Sequence, residues 1–102
     1  MDFKVFLSED ALSDLKRIVA YIAPHNPDAA ERMGNRLLDA ALSLCTFPER
    51  GRMVPEFQRL ELREIIFRSY RIIYRVNNAE KAVEVIRFWH GARGFPHIPQ
   101  HL

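Results

Sequence analysis

Cysteine is almost absent from this sequence, which excludes a framework of disulfides. Cys45 is the only cysteine among 102 residues, and its place in an apolar run favours a small core residue over a nucleophile. Long apolar runs are also missing, because no stretch approaches the roughly 20 residues that cross a bilayer. The first residues lack the basic segment and the long apolar segment of a signal peptide. We therefore expect a cytoplasmic protein that makes no contact with membranes.

Several sequence motifs of catalysis and cofactor binding are missing as well. The chain has four glycines and contains no glycine-rich phosphate loop, no Gly-x-Ser-x-Gly elbow and no Cys-x-x-Cys pair. His90, His97 and His101 share one segment, but no further Cys, His or carboxylate completes a metal-ligand pattern there. We expect neither a cofactor nor a metal ion.

Lysine is scarce, since Lys4, Lys16 and Lys81 are the only lysines among 15 basic residues. The net charge of +2 conceals an uneven distribution: residues 1–49 hold five basic and eight acidic residues, whereas residues 50–102 hold ten and five. Arginine favours planar, two-point contacts with phosphate or carboxylate. The second half therefore predicts a surface for nucleic acid or for an acidic protein segment, or else a solvated sheet face with weak cross-strand ion pairs.

The first half of the chain has the pattern of a strand followed by two helices. Phe3–Leu7 is rich in aromatic and branched residues, as in a short strand. Ser8 is a good N-cap for a helix that ends near Ala23. Asn26 and Pro27 open a second helix, whose apolar face continues to Cys45. The short connection predicts an antiparallel helix hairpin.

The second half has the pattern of a loop followed by three strands. Residues 49–55 contain Gly and Pro without periodicity and are predicted to form a loop. Strands are predicted at Leu62–Phe67, Tyr70–Val76 and Val83–Trp89, joined as an antiparallel meander. Residues 91–102 should form an irregular tail. We predict one α+β domain over residues 1–102, with both helices on one face of a small sheet and the opposite face available.

The arginines of the second half are the first candidates for recognition. They are Arg50, Arg52, Arg59, Arg63, Arg68, Arg71, Arg75, Arg87 and Arg93. Candidates for acid or base catalysis are His90, Glu56, and Tyr70 or Tyr74. A histidine at a strand end also commonly serves as a structural hydrogen-bonding group. Four aromatic residues either complete the core or form an apolar surface that a partner covers: these are Phe57, Phe88, Trp89 and Phe95.

Together, these segments resemble toxins of the RelE/ParE superfamily of type II toxin–antitoxin modules. The resemblance extends over roughly residues 3–93 and rests on motifs that follow one another in the family's order. They are Ala11-x-x-Asp14-Leu15-x-x-Ile18-x-x-Tyr21-Ile22, Pro27-x-Ala29-Ala30, Leu44-x-x-x-Pro48-x-x-Gly51-Arg52, Leu62-Arg63-Glu64, residues 70–76 and Val85-Ile86-Arg87-x-x-His90-x-x-Arg93.

This resemblance implies a partner, a target and a set of site residues. The partner is a small antitoxin whose acidic C-terminal segment wraps the toxin in a hetero-oligomer. ParE-like members poison DNA gyrase without being enzymes, whereas RelE-like members are ribosome-dependent mRNA endonucleases that use the RNA 2′-hydroxyl. The scarcity of lysine in the sheet motifs favours the ParE-like branch. The expected target-binding residues are Arg52, Arg63, Arg71, Arg75, His90 and Arg93.

The RelE-like alternative assigns different roles to three residues. In the YoeB branch of the nucleases, the resemblance would make Glu56 the general base, His90 the general acid and Arg63 the phosphate clamp. Gly91 stands where that branch has a tyrosine, which weakens this alternative. If the protein is an enzyme, it is expected to be a metal-independent endoribonuclease.

Overall fold

Two helices and a five-stranded sheet account for most of the computed structural model, which describes residues 2–99. The predicted helix hairpin and three-stranded meander are confirmed to within one to three residues at their ends. The prediction of a loop over residues 49–55 was wrong in part, because a short strand lies within it. The elements are β1 (Lys4–Leu7), α1 (Glu9–Ile22), α2 (Pro27–Leu42), β2 (Arg52–Met53), β3 (Leu62–Phe67), β4 (Tyr70–Asn77) and β5 (Ala82–His90).

Each helix begins at the cap that the sequence predicts. The Ser8 hydroxyl accepts a hydrogen bond from the Ala11 amide at 3.0 Å and donates one to the Ile86 carbonyl at 2.9 Å. The Asn26 side chain accepts from the Ala29 amide at 3.0 Å, with Pro27 in the first turn. Ser8 therefore both starts α1 and ties that helix to β5, which positions the helix against the sheet.

The strands lie in the order β1-β5-β4-β3-β2. β1 is parallel to β5, and the other pairs are antiparallel. The register between β4 and β5 shifts at Ile73 and Tyr74, which lie opposite Arg87 and Val85, so Ile86 has no direct partner. This extra residue reverses the alternation of side chains along β5. As a result, Val85 and Phe88 both face the helices although they are three positions apart in the chain.

The sheet carries a hydrophobic cluster on each of its faces. The face toward the helices packs Ile72, Tyr74 and Phe88 against Ala11 and Leu37. The other face, which we call the outer face, holds the second cluster: Val54, Leu62, Ile73, Ile86 and Trp89, with Phe57 and Ile98 packed at its border. The expectation that this face is available was therefore wrong for its centre.

The tail of the chain folds back onto the outer face. The Trp89 indole N–H donates to the Gly94 carbonyl at 3.1 Å, and the Phe95 ring meets Phe57 edge to face at 5.4 Å. Phe88 and Trp89 belong to the core, whereas Phe95 is 61% exposed. Apart from one short turn, the tail is irregular as predicted up to residue 99, and its last three residues lie outside the described part of the chain. Within residues 2–99, no helix is long and apolar enough to cross a membrane.

Candidate functional site

Arg71 is the centre of a network of ion pairs on the outer face. Its Nη atoms donate to both carboxylate oxygens of Glu56, at 2.6 and 2.9 Å, and its Nε donates to Glu64 Oε1 at 2.6 Å. Arg52 donates from Nε to the other oxygen of Glu64 at 2.7 Å. We call Arg52, Glu56, Glu64 and Arg71 the outer-face network. The sheet brings it together because Arg52 lies opposite Glu64 and β3 pairs with β4.

The four charges of the outer-face network largely compensate one another. Hydrogen bonds from Arg71 lower the pKa of Glu56, and the hydrogen bond to Glu56 raises the pKa of Arg71. The Glu64 side chain is fully buried, the Arg71 side chain is 12% exposed and the Arg52 side chain is 61% exposed. Glu56 is therefore a weak base, because a general base works best with a pKa near the operating pH. Arg52 is the cation that the network presents to solvent.

Arg63 has a different position and role from Arg71. It lies opposite Tyr74, so its side chain is on the helix side of the sheet. Its Nη1 donates to the carbonyl oxygens of Gly51 at 2.9 Å and Glu49 at 3.3 Å. These contacts hold the segment that leads into β2 and thereby place Arg52.

Tyr74 also stabilises the segment that leads into β2. Its buried hydroxyl accepts a hydrogen bond from the Gly51 amide at 3.0 Å and donates one to the Pro48 carbonyl at 2.6 Å. Burial raises the pKa of Tyr74, so the hydroxyl keeps its proton for the Pro48 carbonyl at neutral pH. A Cβ on Gly51 would lie only 2.5 Å from this hydroxyl and 2.6 Å from the Glu64 carbonyl oxygen, so this position requires glycine.

Three further candidates do not belong to the outer-face network, and they are Arg75, His90 and Arg93. Arg75 approaches Glu84 at 3.4 Å, and its Nε is buried without a hydrogen-bond partner among residues 2–99. His90 Nδ1 accepts from the Ala92 amide at 3.0 Å. The Arg93 guanidinium lies over the ring of Trp89, 3.8 Å from its centre.

The structure brings the six expected target-binding residues together only as two separate pairs. Arg52 and Arg71 share the partner Glu64. His90 and Arg93 line one pocket beside α1. The structure does not bring together the three residues of the nuclease alternative. Glu56 pairs with Arg71, while Arg63 and His90 lie opposite residues four positions apart on β4, which is roughly 13 Å along that strand. Arg63 and His90 also belong to strands on opposite sides of β4.

Sequence reasoning gave no special role to Glu64, which is a fully buried carboxylate shared by two arginines. A signal was present, because a glutamate alternating with apolar residues in a strand points to burial with a cationic partner. The alternative to a binding surface was a sheet face with cross-strand ion pairs. Such pairs do occur, between Arg71 and Glu64 and between Arg75 and Glu84. In the described part of the chain, no three His, Cys, Asp or Glu side chains form a group that could hold a metal ion.

Solved structures of toxins and toxin–antitoxin complexes share this fold. The chain superposes with a TM-score of 0.72 on a chain of the chromosomal ParDE system from P. aeruginosa, at 15% identity, covering 86% of this chain and 95% of that one. It matches a chain of the RelBE2 toxin–antitoxin complex from Mycobacterium tuberculosis with a TM-score of 0.67, at 20% identity, covering 88% and 99%. A free mutant of E. coli RelE gives 0.65 at 16% identity, covering 92% and 88%. The fold is thus that of RelE/ParE toxins.

The amino-acid sequence is also similar to those of known toxins. Residues 5–95 match the family described as the ParE toxin of the type II toxin–antitoxin system parDE. Toxin RelE2 of Caulobacter vibrioides is 43% identical over 83 residues, which cover 81% of this chain and 89% of that protein. Toxin RelE1 of the same organism is 38% identical over 92 residues, covering 89% and 96%. The chain belongs to the ParE toxin family of type II toxin–antitoxin systems, and the resemblance in the sequence is confirmed.

Proposed function

We propose that this toxin inhibits DNA gyrase by binding it and catalyses no reaction itself. The observation that carries the proposal is the two-point pairing of Glu56 with Arg71. A general base and a general acid must both reach the reacting atoms, whereas here the candidate base is paired and charged and His90 lies at the end of another strand. A site built this way is better suited to binding than to proton transfer.

Exposed cations next to apolar side chains are the proposed contacts with gyrase. Of the six target-binding candidates, Arg52 and Arg93 are exposed, while the others are partly buried within the fold. Arg52 and the 56% exposed Ile66 border the same depression beside β3. Arginine beside apolar side chains is a common composition of the residues that dominate protein interfaces. We assign Arg52 and Ile66 to the centre of this contact, and Arg63 and Arg71 to its support.

A gyrase assay tests the proposal directly. Purified toxin should inhibit supercoiling by gyrase and increase the amount of cleaved DNA trapped on the enzyme. Arg52→Gln should weaken both effects, whereas Arg59→Gln changes another exposed arginine outside the network and should leave them intact. Unchanged supercoiling together with no trapped cleavage would overturn the proposal.

The second candidate is a ribosome-dependent mRNA endonuclease, favoured by the RelE names of both Caulobacter vibrioides relatives. Primer extension on translated mRNA would then reveal cuts in the ribosomal A site. His90→Ala should abolish such cuts if His90 is the general acid. Cleavage that survives this substitution would remove His90 from the mechanism, and the absence of cuts would remove this candidate.

We also propose that a cognate antitoxin neutralises the toxin in a hetero-oligomer, as expected for a toxin of this family. An apolar groove between the two helices is the proposed seat for it. Its walls include Leu15, Val19, Ala20 and Leu38, and Lys16 and Glu31 lie at its edge. Coexpression with the neighbouring small open reading frame should yield a stable complex, and Val19→Glu should weaken it. If no small neighbour copurifies, the antitoxin proposal fails.

A further inference from the structure

A pocket of about 390 Å³ lies on the helix side of the sheet, between α1 and the end of β5. We call it the α1–β5 pocket. Ile18 and Phe88 give it apolar walls. Its volume falls within the roughly 300–1,000 Å³ of small-molecule sites, which combine apolar walls with a few placed polar groups. The pocket is separate from the outer-face network, which occupies the opposite face of the sheet.

The polar side chains around the α1–β5 pocket are almost all hydrogen-bond donors. They are Arg17, Tyr21, Tyr70, His90 and Arg93. Two of them carry a permanent positive charge, and the tyrosine hydroxyls can donate to an anion.

The one carboxylate that lines the α1–β5 pocket, Asp14, is already engaged. Its oxygens accept from Arg87 Nε and Nη2, both at 2.7 Å, and from the Phe88 amide at 3.1 Å. Its negative charge is therefore compensated by Arg87 rather than by a ligand. The described lining thus favours a ligand rich in acceptors and disfavours a cation.

We propose that the α1–β5 pocket binds a nucleoside monophosphate, either free or at the end of a nucleic-acid strand. The phosphate would accept from Arg17 and Arg93, and the base would stack on Tyr21 or Tyr70. Tyrosine rings and arginine guanidinium groups are the side chains on which unstacked bases are usually held. A peptide carboxylate fits less well, because the backbone N–H groups beside it would meet donors rather than acceptors.

Several donors of the α1–β5 pocket are already positioned for this role. Stacking on Trp89 occupies one face of the Arg93 guanidinium, whereas its N–H groups lie in the plane of the group and point away from the ring. His90 Nδ1 accepts from the Ala92 amide, so the neutral ring carries its proton on Nε2. Burial raises the pKa of Tyr70, so that hydroxyl remains a donor at neutral pH.

Calorimetric titration of the purified full chain tests this site without any gyrase or ribosome, so its outcome is independent of the proposed function. AMP should bind, while adenosine and inorganic phosphate should each bind at least about tenfold more weakly, because each makes only part of the contacts. Arg17→Gln and Arg93→Gln should each weaken AMP binding by about tenfold, the usual size of one lost charge-assisted hydrogen bond. Arg32→Gln, on the exposed surface of α2, is the matched control and should have no effect.

One further ligand identifies the source of the nucleotide. A short DNA strand with a 5′-phosphate that binds more tightly than AMP would indicate a strand end, and the reverse order would indicate a free nucleotide. Undetectable AMP binding at millimolar concentration would overturn the proposal. The proposal would also be overturned if adenosine bound as tightly as AMP, or if a short acidic peptide bound and AMP did not. Circular dichroism of each variant separates loss of binding from loss of folding.

Discussion

Asp14 of α1 and Arg87 of β5 form a two-point ion pair, with both N···O distances at 2.7 Å and both side chains at most 10% exposed. The hydrogen bonds from Arg87 to Asp14 raise the pKa of Arg87, so the guanidinium keeps its charge at any ordinary pH. Asp14 also accepts from the Phe88 amide beside the register shift in β5. One carboxylate thus joins the first helix to the last strand where the sheet is irregular.

Removing the carboxylate of Asp14 should be severely destabilising. Asp14→Ala would leave the Arg87 guanidinium buried without its partner, which typically costs about 3–5 kcal/mol. Urea denaturation of the variant and of the wild type measures this loss. Asp39→Ala, on the exposed side of α2, should change the free energy of unfolding by less than about 0.5 kcal/mol. Equal effects of the two substitutions would contradict the role given to the ion pair.

The hydroxyl of Tyr74 should contribute measurably to stability through the segment before β2. Tyr74→Phe removes the hydrogen bonds to Pro48 and Gly51 and leaves both backbone groups unpaired in the interior, at a cost of about 1–3 kcal/mol. Thermal unfolding measures the loss, with Tyr21→Phe, at a position 80% exposed, as the control. Because the segment before β2 also positions Arg52, binding to gyrase, the proposed target, should fall along with stability. A variant as stable as the wild type would argue against this support.

A side chain at position 51 should not be tolerated. In Gly51→Ala the new Cβ would meet the backbone carbonyl oxygen of Glu64 at 2.6 Å, and backbone of a paired strand cannot move aside as a side-chain end can. Overpacking of this kind typically costs about 1–3 kcal/mol. Gly91→Ala, whose Cβ would lie 3.3 Å from its nearest neighbour, should cost less in the same unfolding measurement. The opposite order would show that the segment before β2 is more adaptable than its contacts indicate.

The pairing of Glu56 with Arg71 should make stability depend on pH in the acid range. Because Arg71 lowers the pKa of Glu56 from its ordinary 4.5, the unfolded chain takes up a proton on Glu56 at a higher pH than the folded chain does. The stability that this pair contributes is therefore present above about pH 4.5 and is lost as the pH falls through the lower folded value. Glu56→Gln should flatten the fall in unfolding free energy between pH 5 and pH 3.

The matched substitution for this experiment is Glu80→Gln, at an exposed position after β4. It should leave the pH dependence close to that of the wild type. If Glu56→Gln and Glu80→Gln changed the slope equally, the pairing of Glu56 with Arg71 would not be the cause.

Local patterns were sufficient for the helices and the meander. Ser8 and Asn26 cap the helices as expected, since capping depends on residues within one turn. Within the predicted strand Tyr70–Val76, Tyr74 faces the helices and Arg71 faces the other way, because successive side chains of a strand point to opposite faces. β2 was missed because a strand of two residues carries no periodicity, and it forms only where β3 offers it an edge.

Sequence position was a poor guide to the site, because ion pairs join residues that are distant in the chain. Arg63 and Arg71 look equivalent as strand arginines, yet the first bonds backbone carbonyls on the helix side and the second bonds two glutamates on the outer face. The excess of arginine after residue 50 predicted either a cationic binding surface or a solvated sheet face with weak cross-strand ion pairs. Much of that charge is compensated within the fold, by Asp14, Glu56, Glu64 and Glu84.

The sequence by itself determined both helices, four of the five strands, the family and the excess of positive charge in the second half, because these follow from local pattern and composition. Only the tertiary structure decided which arginines remain free to bind. Strand register and the extra residue in β5 determine the face on which each side chain lies. Because burying an unpaired charge is costly, most of the cations there pair with a carboxylate or a carbonyl oxygen. Arg52 remains exposed because it lies on the edge strand β2, and Arg93 remains exposed because it lies in the short turn after β5.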